Sequence, residues 1–210
     1  PRPATRYAKG EDDARTKIIM AMLLTMRGTP FLYYGEEIGM RDISLKRSEI
    51  MDPPGKKYWP FNKGRDGCRS PMQWDSSDNA GFSVEKPWLP AHPNFKERNV
   101  AAQLDDESSM LQFTRKLIAL RKENQTLRRG EFIPLKDTAS EVMAYLRLGD
   151  DEKILVALNF SKKKKTLTLP KASWSILFSE NREGDINQDE IILFPNEVLL
   201  LSVKVTQKRS

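Results

Sequence analysis

Apolar residues first recur at helical spacing over Ala14, Ile18, Ile19, Met22, Leu23 and Met26. The acids Glu11-Asp12-Asp13 stand ahead of them, at the end where a helix dipole favours negative charge. Gly28 and Pro30 stop the pattern. The spacing predicts a helix over 14–27. Directly afterwards Thr29-Pro30-Phe31-Leu32-Tyr33-Tyr34-Gly35 is apolar and aromatic without helical period, which predicts a short strand buried on both faces. A second amphipathic pattern places Met110, Phe113, Leu117 and Leu120 on one face, with Leu111 and Ile118 beside it. Asp105, Asp106, Ser108 and Ser109 are its candidate caps, and Arg115, Lys116, Arg121 and Lys122 lie toward its C-terminal end.

Between these patterns, from Arg41 to about Ala102, regular periodicity fails. Pro53-Pro54-Gly55, Trp59-Pro60, Lys86-Pro87, Pro90 and Pro93 break helices and strands alike. A connection of this length is uncommon in a compact domain unless it is functional. Its aromatic residues, Tyr58, Trp59, Phe61, Trp74, Phe82 and Trp88, predict that it packs rather than remaining disordered. Residues 1–10 read as an irregular polar loop. After Gly130 short β-rich runs take over: Val142–Leu148, Ile154–Phe160, Thr166–Leu169, Trp174–Phe178, Ile191–Leu193 and Val198–Val205. Turn signals separate them, which predicts a small antiparallel sandwich. The boundary is expected near Arg129–Phe132, giving domains 1–129 and 130–210.

Composition narrows the function classes. The chain has 210 residues, 39% hydrophobic and 30% charged, enough to bury a sizeable core. Its net charge of +6 is spread along the sequence, and the dense run Lys162-Lys163-Lys164-Lys165 is expected to be a solvated hairpin turn rather than a nucleic-acid site. No apolar run is long enough for a bilayer and no signal peptide is visible, although the sequence starts at Pro1 without Met. Cys68, the single cysteine, excludes an internal disulfide framework and is read as a packing residue. His92, the single histidine, lacks partners for a metal site or for general-base work. No phosphate loop, cysteine cluster or Ser-His-Asp order is present.

Two stretches carry candidate chemistry. Glu36 and Glu37 follow the expected buried strand, the position where barrel and open-sheet enzymes place reactive groups. The structural alternative pairs both glutamates with neighbouring arginines. The second stretch is Gly64-Arg65-Asp66-Gly67-Cys68-Arg69-Ser70-Pro71-Met72-Gln73-Trp74-Asp75. Arginine forks suit carboxylates and vicinal hydroxyls, and a tryptophan face suits a sugar ring. For Arg69 and Asp75 a self-satisfying network that pins the loop is the preferred reading. For Arg65 the residues alone leave the question open.

Together, Thr29–Met40 and Gly64–Asp75 resemble the α-amylase superfamily, glycoside hydrolase family 13, in its α-glucosidase and oligo-1,6-glucosidase branch. Ala80-Gly81-Phe82, Pro87-Trp88-Leu89-Pro90, Asn99-Val100 and Leu117-Ile118-Ala119-Leu120-Arg121 support the resemblance in order. It implies the last part of a (β/α)8 TIM barrel, α/β in class, followed by a C-terminal antiparallel β-sandwich domain. Residues 14–27 would be helix 7, 29–35 strand 8, 41–102 the long loop, and 108–124 helix 8. A whole barrel takes about 250 residues. The family's nucleophilic Asp, acid/base Glu and stabilising Asp all precede this region, and Pro1-Arg2 resembles the continuation of the Asn-His-Asp-Gln stretch holding the last of them. The resemblance therefore implies no catalytic residue within the chain, and an isolated fragment without activity.

Two substrate-binding positions carry over. Arg65 matches an arginine gripping the non-reducing terminal glucose, and Glu37 an acidic position bordering the leaving-group side. Glu36 has weaker standing. The implied function is a retaining, exo-acting α-glucosidase on malto- or isomalto-oligosaccharides, cytoplasmic, without metal, cofactor, nucleic-acid or membrane partner. The alternative is a non-catalytic relative, such as the glucosidase-like ectodomain of an amino-acid transporter heavy chain; upstream carboxylates would discriminate.

Overall fold

The computed structural model describes residues 1–8 and 10–205. Contacts divide the chain into two compact units: Pro1–Thr16 with Phe31–Arg115, and Lys17–Pro30 with the residues from Lys116 onward. This partition groups residues 17–30 and 116–129 with the β-rich region, whereas the sequence reading separates them at 129. Residues 206–210 of the expected second domain lie outside the described residues.

In the first unit, helix α1 (Pro3–Tyr7) replaces part of the irregular loop expected over 1–10. Pro3 at the first helical position suits it, because a missing N–H there costs nothing. Helix α2 (Asp13–Thr25) begins in this unit and continues in the other. The strand expected over 29–35 forms no ladder: residues 31–33 belong to no regular element, and a 3-10 turn follows over Glu36–Ile38. Phe31 is 84% exposed. A strand buried on both faces needs a neighbour on each side, and among the described residues none pairs with it. The long segment after Met40 holds only α3 (Pro53–Lys57), α4 (Val100–Leu104) and short 3-10 turns. Two small apolar clusters anchor it. Ile38, Met40, Met72 and Leu111 form one, and Ile43, Leu45, Ile50 and Leu89 the other.

Of the face its periodicity predicts, helix α5 (Met110–Glu123) buries Met110, Phe113 and Leu117 and half-buries Leu120. Ser109 proves to be its cap, accepting from the Gln112 N–H at 3.2 Å. Helix α2 differs: Ile18, Met20, Ala21 and Leu24 are buried, while Ile19, Met22 and Leu23 are only half-buried. Apolar residues surround this helix, so its pattern does not choose a face.

In the second unit, α6 (Gln125–Arg129) leads into β1 (Glu131–Pro134), β2 (Val142–Leu148), β3 (Glu152–Asn159), β4 (Lys165–Thr168), β5 (Trp174–Ser179), β6 (Asp185–Ile186), β7 (Glu190–Leu193) and β8 (Val198–Lys204). They form a six-stranded antiparallel sheet, β1-β2-β3-β8-β5-β6, and a two-stranded sheet, β4-β7. One apolar core joins both sheets, with Leu155, Ala157, Trp174, Leu199 and Leu201 against Leu167, Leu169, Ile191 and Leu193. The lysine run is not a hairpin turn, because β3 pairs with β2 and β8 while β4 pairs with β7. Lys162, Lys163 and Lys164 lie in the link that carries the chain from one sheet to the other, and Lys165 begins β4. Buried Asn159 pins that link by donating to the Lys163 and Phe194 carbonyls at 2.9 and 2.7 Å.

Two buried arginines close the unit. Arg121 donates to the carbonyls of Leu24, Gly28 and Leu127 at 2.7, 2.5 and 3.0 Å. Arg147, with no exposed surface, donates to those of Thr25, Leu127 and Gly130 at 2.5, 2.7 and 2.8 Å. The ends of α2 and α6 leave carbonyls without intrahelical partners, and the negative end of each helix dipole favours a cation there.

Candidate functional site

The site region lies within the first unit. Gly35, at φ 84°, turns the chain after Tyr34, and Met40 occupies the space a Cβ would need. That turn sets Tyr33 and Tyr34 side by side, ring centroids 4.6 Å apart. The buried Arg2 guanidinium lies 5.6 and 5.0 Å from the two ring centroids, donates to the Tyr34 carbonyl at 3.3 Å and pairs with Asp42 at 3.4 Å. The Tyr34 hydroxyl donates to the Ser70 carbonyl at 2.8 Å, which ties the turn to the second motif.

Glu36 turns back on its own backbone, accepting from the Tyr33 N–H at 3.2 Å. Burial raises its pKa above the usual carboxylate value despite that hydrogen bond. Glu37 is half-buried and its carboxylate has no hydrogen-bond or ion-pair partner among the described residues. Pairing of both glutamates with arginines is thus not what the structure shows.

Arg65 is held from behind. Asp52, buried, accepts from the Arg65 backbone N–H and from its Nη2, both at 3.1 Å. The Arg65 hydrogen bond is the main reason the Asp52 carboxyl titrates below its ordinary value. Gly64, at φ 70°, allows this approach, because a Cβ there would strike the Asp52 side chain. Asp66, fully buried, fixes Asp52 in turn by accepting from the N–H groups of Met51 and Asp52 at 2.7 and 2.8 Å. It also pairs with Arg69 at 3.3 Å. The Arg65 side chain is 69% exposed, so one end is anchored and the rest is available.

Asp75 accepts from the Ser77 N–H and hydroxyl at 2.8 and 2.5 Å, and this lowers its pKa. Arg69 and Asp75 therefore serve the loop network, as their residue types suggest. Gln73, buried, donates to the Arg98 carbonyl and to Asn94. Arg98 gathers Glu11, Asp13 and the Ile38 carbonyl, each at 3.0 Å.

The structure places the two predicted binding residues in separate clefts. Glu37 lines a cleft of about 500 Å³ with Tyr34, Arg69, Met72, Trp74, Phe82 and Trp88. Arg65 lines one of about 370 Å³ with Pro1, Thr5, Asp42, Ser44 and Cys68. The short turn Asp66–Arg69 stands between them, contributing Gly67 and Cys68 to the second cleft and Arg69 to the first. Sequence reasoning missed Asp52, which nothing in the local pattern marks as the partner of Arg65. It gave Trp74 a face suited to a sugar ring but named Phe82 and Trp88 only as packing residues, although the three gather at one cleft.

Comparison with known proteins follows the same layout. The profile "Alpha amylase, catalytic domain" matches residues 1–130, and "Alpha-amylase SusG C-terminal domain" matches residues 142–198. A probable alpha-glucosidase of Rhizobium meliloti is 38% identical over 171 residues, covering 80% of this chain and 31% of the relative. An oligo-1,6-glucosidase of Parageobacillus thermoglucosidasius is 34% identical over 193 residues, covering 81% of this chain and 34% of the relative. Among solved structures, an isomaltulose synthase of Erwinia rhapontici in complex with sucrose superposes with a TM-score of 0.83 at 30% identity, covering 96% of this chain and 41% of that one. The chain thus spans about a third of the length of these curated relatives. With the catalytic-domain profile covering residues 1–130 of 210 and the C-terminal profile following in order, the chain belongs to the α-amylase family, as a catalytic-domain portion joined to a C-terminal β domain.

Proposed function

We propose that this chain is part of a retaining, exo-acting α-glucosidase that releases terminal α-linked glucose from malto- or isomalto-oligosaccharides. The observation that carries the reading is Arg65, an exposed guanidinium fixed at one edge by buried Asp52 within the Gly64–Asp75 motif. In retaining glycosidases one carboxylate attacks the anomeric carbon while a second protonates the leaving oxygen; water then hydrolyses the glycosyl-enzyme, with the second carboxylate acting as base. In this reading both groups are supplied by sequence outside these 210 residues. The chain's own part is binding. Arg65 donates to the hydroxyls of the terminal glucose, and Glu37, unpaired, accepts from hydroxyls on the leaving-group side. Their separation into two clefts divided by Asp66–Arg69 fits groups that hold opposite sides of one glycosidic bond.

The test is Arg65→Ala in the intact enzyme carrying this chain. Losing a charged hydrogen bond should cost about 1.5–3 kcal/mol of transition-state binding, read as a drop in kcat/KM on a small α-glucoside. An unchanged kcat/KM removes Arg65 from the site. The 210-residue chain by itself is expected to leave p-nitrophenyl α-glucoside intact, and turnover by it would overturn the placement of the reacting carboxylates.

A further inference from the structure

The Glu37 cleft has a composition its surroundings do not explain. Trp74, Phe82 and Trp88 are 50%, 51% and 60% exposed, while Met72, Gln73, Ala80 and Leu89 of the same segment are buried. The segment therefore has its own apolar anchors, and these three rings are not among them. Collapse of the loop on itself would have covered the rings, since each hides a large apolar area.

The backbone that carries the rings is, by contrast, tightly fastened. Trp74 donates its N–H to the Ala80 carbonyl and accepts from the Ala101 N–H, both at 2.9 Å. Asn79, in the left-handed region at φ 53°, donates its side chain to the Ser83 carbonyl at 3.0 Å, and its own carbonyl accepts from Phe82 at 3.1 Å. Gly81, at φ 66°, passes so close to Asp75 that no Cβ would fit. Exposed rings on a fastened scaffold are pre-organised, which reduces the entropy lost when a ligand settles on them. Besides Tyr34 and Ser70, two charged groups line the cleft: the Glu37 carboxylate, an acceptor without a partner among the described residues, and the Arg69 guanidinium, a donor. An apolar cleft with a few directed polar groups is the general form of a small-molecule site.

We propose that Trp74, Phe82 and Trp88 form a stacking platform for the second glucosyl ring on the leaving-group side, and so set the preference for oligosaccharides over disaccharides. A pyranose ring has an apolar face of C–H bonds and an equatorial rim of hydroxyls. The face lies on the aromatic rings, whose π-surfaces carry partial negative charge, and the rim reaches Glu37 and Arg69. The inference rests on the proposed α-glucosidase reading, because the platform needs a leaving group longer than one ring.

The experiment compares kcat/KM for a trisaccharide with that for the disaccharide of the same linkage, in the intact enzyme and in Trp88→Ala, Trp88→Phe and Val84→Ala. Trp88→Ala should lower the trisaccharide-to-disaccharide ratio by about tenfold, the size of effect expected from removing one aromatic anchor, and mainly through KM. Trp88→Phe should recover most of the ratio. Val84→Ala, at a residue 99% exposed and outside the cleft lining, should leave the ratio where it was. An unchanged ratio in Trp88→Ala overturns the platform, and so does an equal loss on both substrates with lowered thermal stability, which would mean that protein covers the rings. A wild-type enzyme that cleaves neither sugar would instead defeat the glucosidase reading itself.

Discussion

The β region and the segment from Gly35 to Val100 satisfy their backbones in opposite ways. In the β region, ladder hydrogen bonds run from β1 to β6 through the central pair β3 and β8, and side chains are left to pack. In the long segment side chains take over the work of a ladder. Asp66 serves two backbone donors, Gln73 and Arg98 serve carbonyls, and Asn79 serves two more. A ladder tolerates side-chain changes that keep volume, because its bonds are backbone bonds. A loop tied by side chains does not, but it can present Arg65, Glu37 and three aromatic rings at angles no regular element would allow.

Arg147 crosses that division, since it is a β2 side chain that serves helix-end carbonyls. Arg147→Met keeps length and loses the donors, leaving the Thr25 and Gly130 carbonyls short of partners in the interior, while Leu127 keeps its bond from Arg121. With each orphaned carbonyl costing about 1–3 kcal/mol, the expected loss is about 2–6 kcal/mol, measured as a lower urea midpoint. A change under 1 kcal/mol would mean that the ladders alone hold the unit. In the loop, Asp66→Ala removes acceptors from two backbone donors and a partner from Arg69, for about 2–3 kcal/mol. Amide hydrogen exchange at Met51 and Asp52 should accelerate while exchange in β3 does not; acceleration in both would erase the contrast. Gly81→Ala forces a side chain into the left-handed region against Asp75, for about 1–2 kcal/mol, visible as a lower Tm.

The smallest effects are in pH. Burial pushes the Tyr145 phenol up to about 12, against 10 unfolded, with Thr25 hydrogen-bonded at 2.5 Å. The native state therefore holds this proton longer. The stabilisation is complete below pH 10 and disappears as pH rises toward 12; the Thr25 hydrogen bond pulls the pKa back, so Thr25→Ala should move the alkaline limb of the stability curve to higher pH and leave the acid one alone. Asp52 behaves oppositely. Its lowered pKa contributes stability above its unfolded value of 3.8, lost as pH falls through the folded value, and Arg65→Ala should flatten that acid limb. An acid limb unaffected by Arg65→Ala would detach Asp52 from Arg65.

How far each region was legible follows from the same contrast. Six of the eight strands were readable as short β-rich runs set between turn residues, because strand-forming and turn-forming residue types are local properties of the chain. β6 has only two residues, and β1, Glu131–Pro134, begins with a charge and ends on a proline, so neither stands out as a β-rich run. Helix α5 was readable with its buried face; α2 was readable as a helix, but not by face. The motif Gly64–Asp75 could be picked out by its density of arginine, aspartate and tryptophan. Its partner Asp52 could not, because a contact across 13 positions of irregular chain leaves no periodic trace.

The sequence by itself determined the order of elements, the antiparallel character of the β region and the stretch where binding chemistry concentrates, since these follow from local spacing and residue type. Only the tertiary structure decided that Asp52 anchors Arg65, that Glu37 opens into a different cleft, that the lysine run links two sheets, and that residues 29–35 form no ladder among the described residues. Those outcomes depend on which distant groups meet, and a hydrogen bond or a strand pairing is a property of both partners at once.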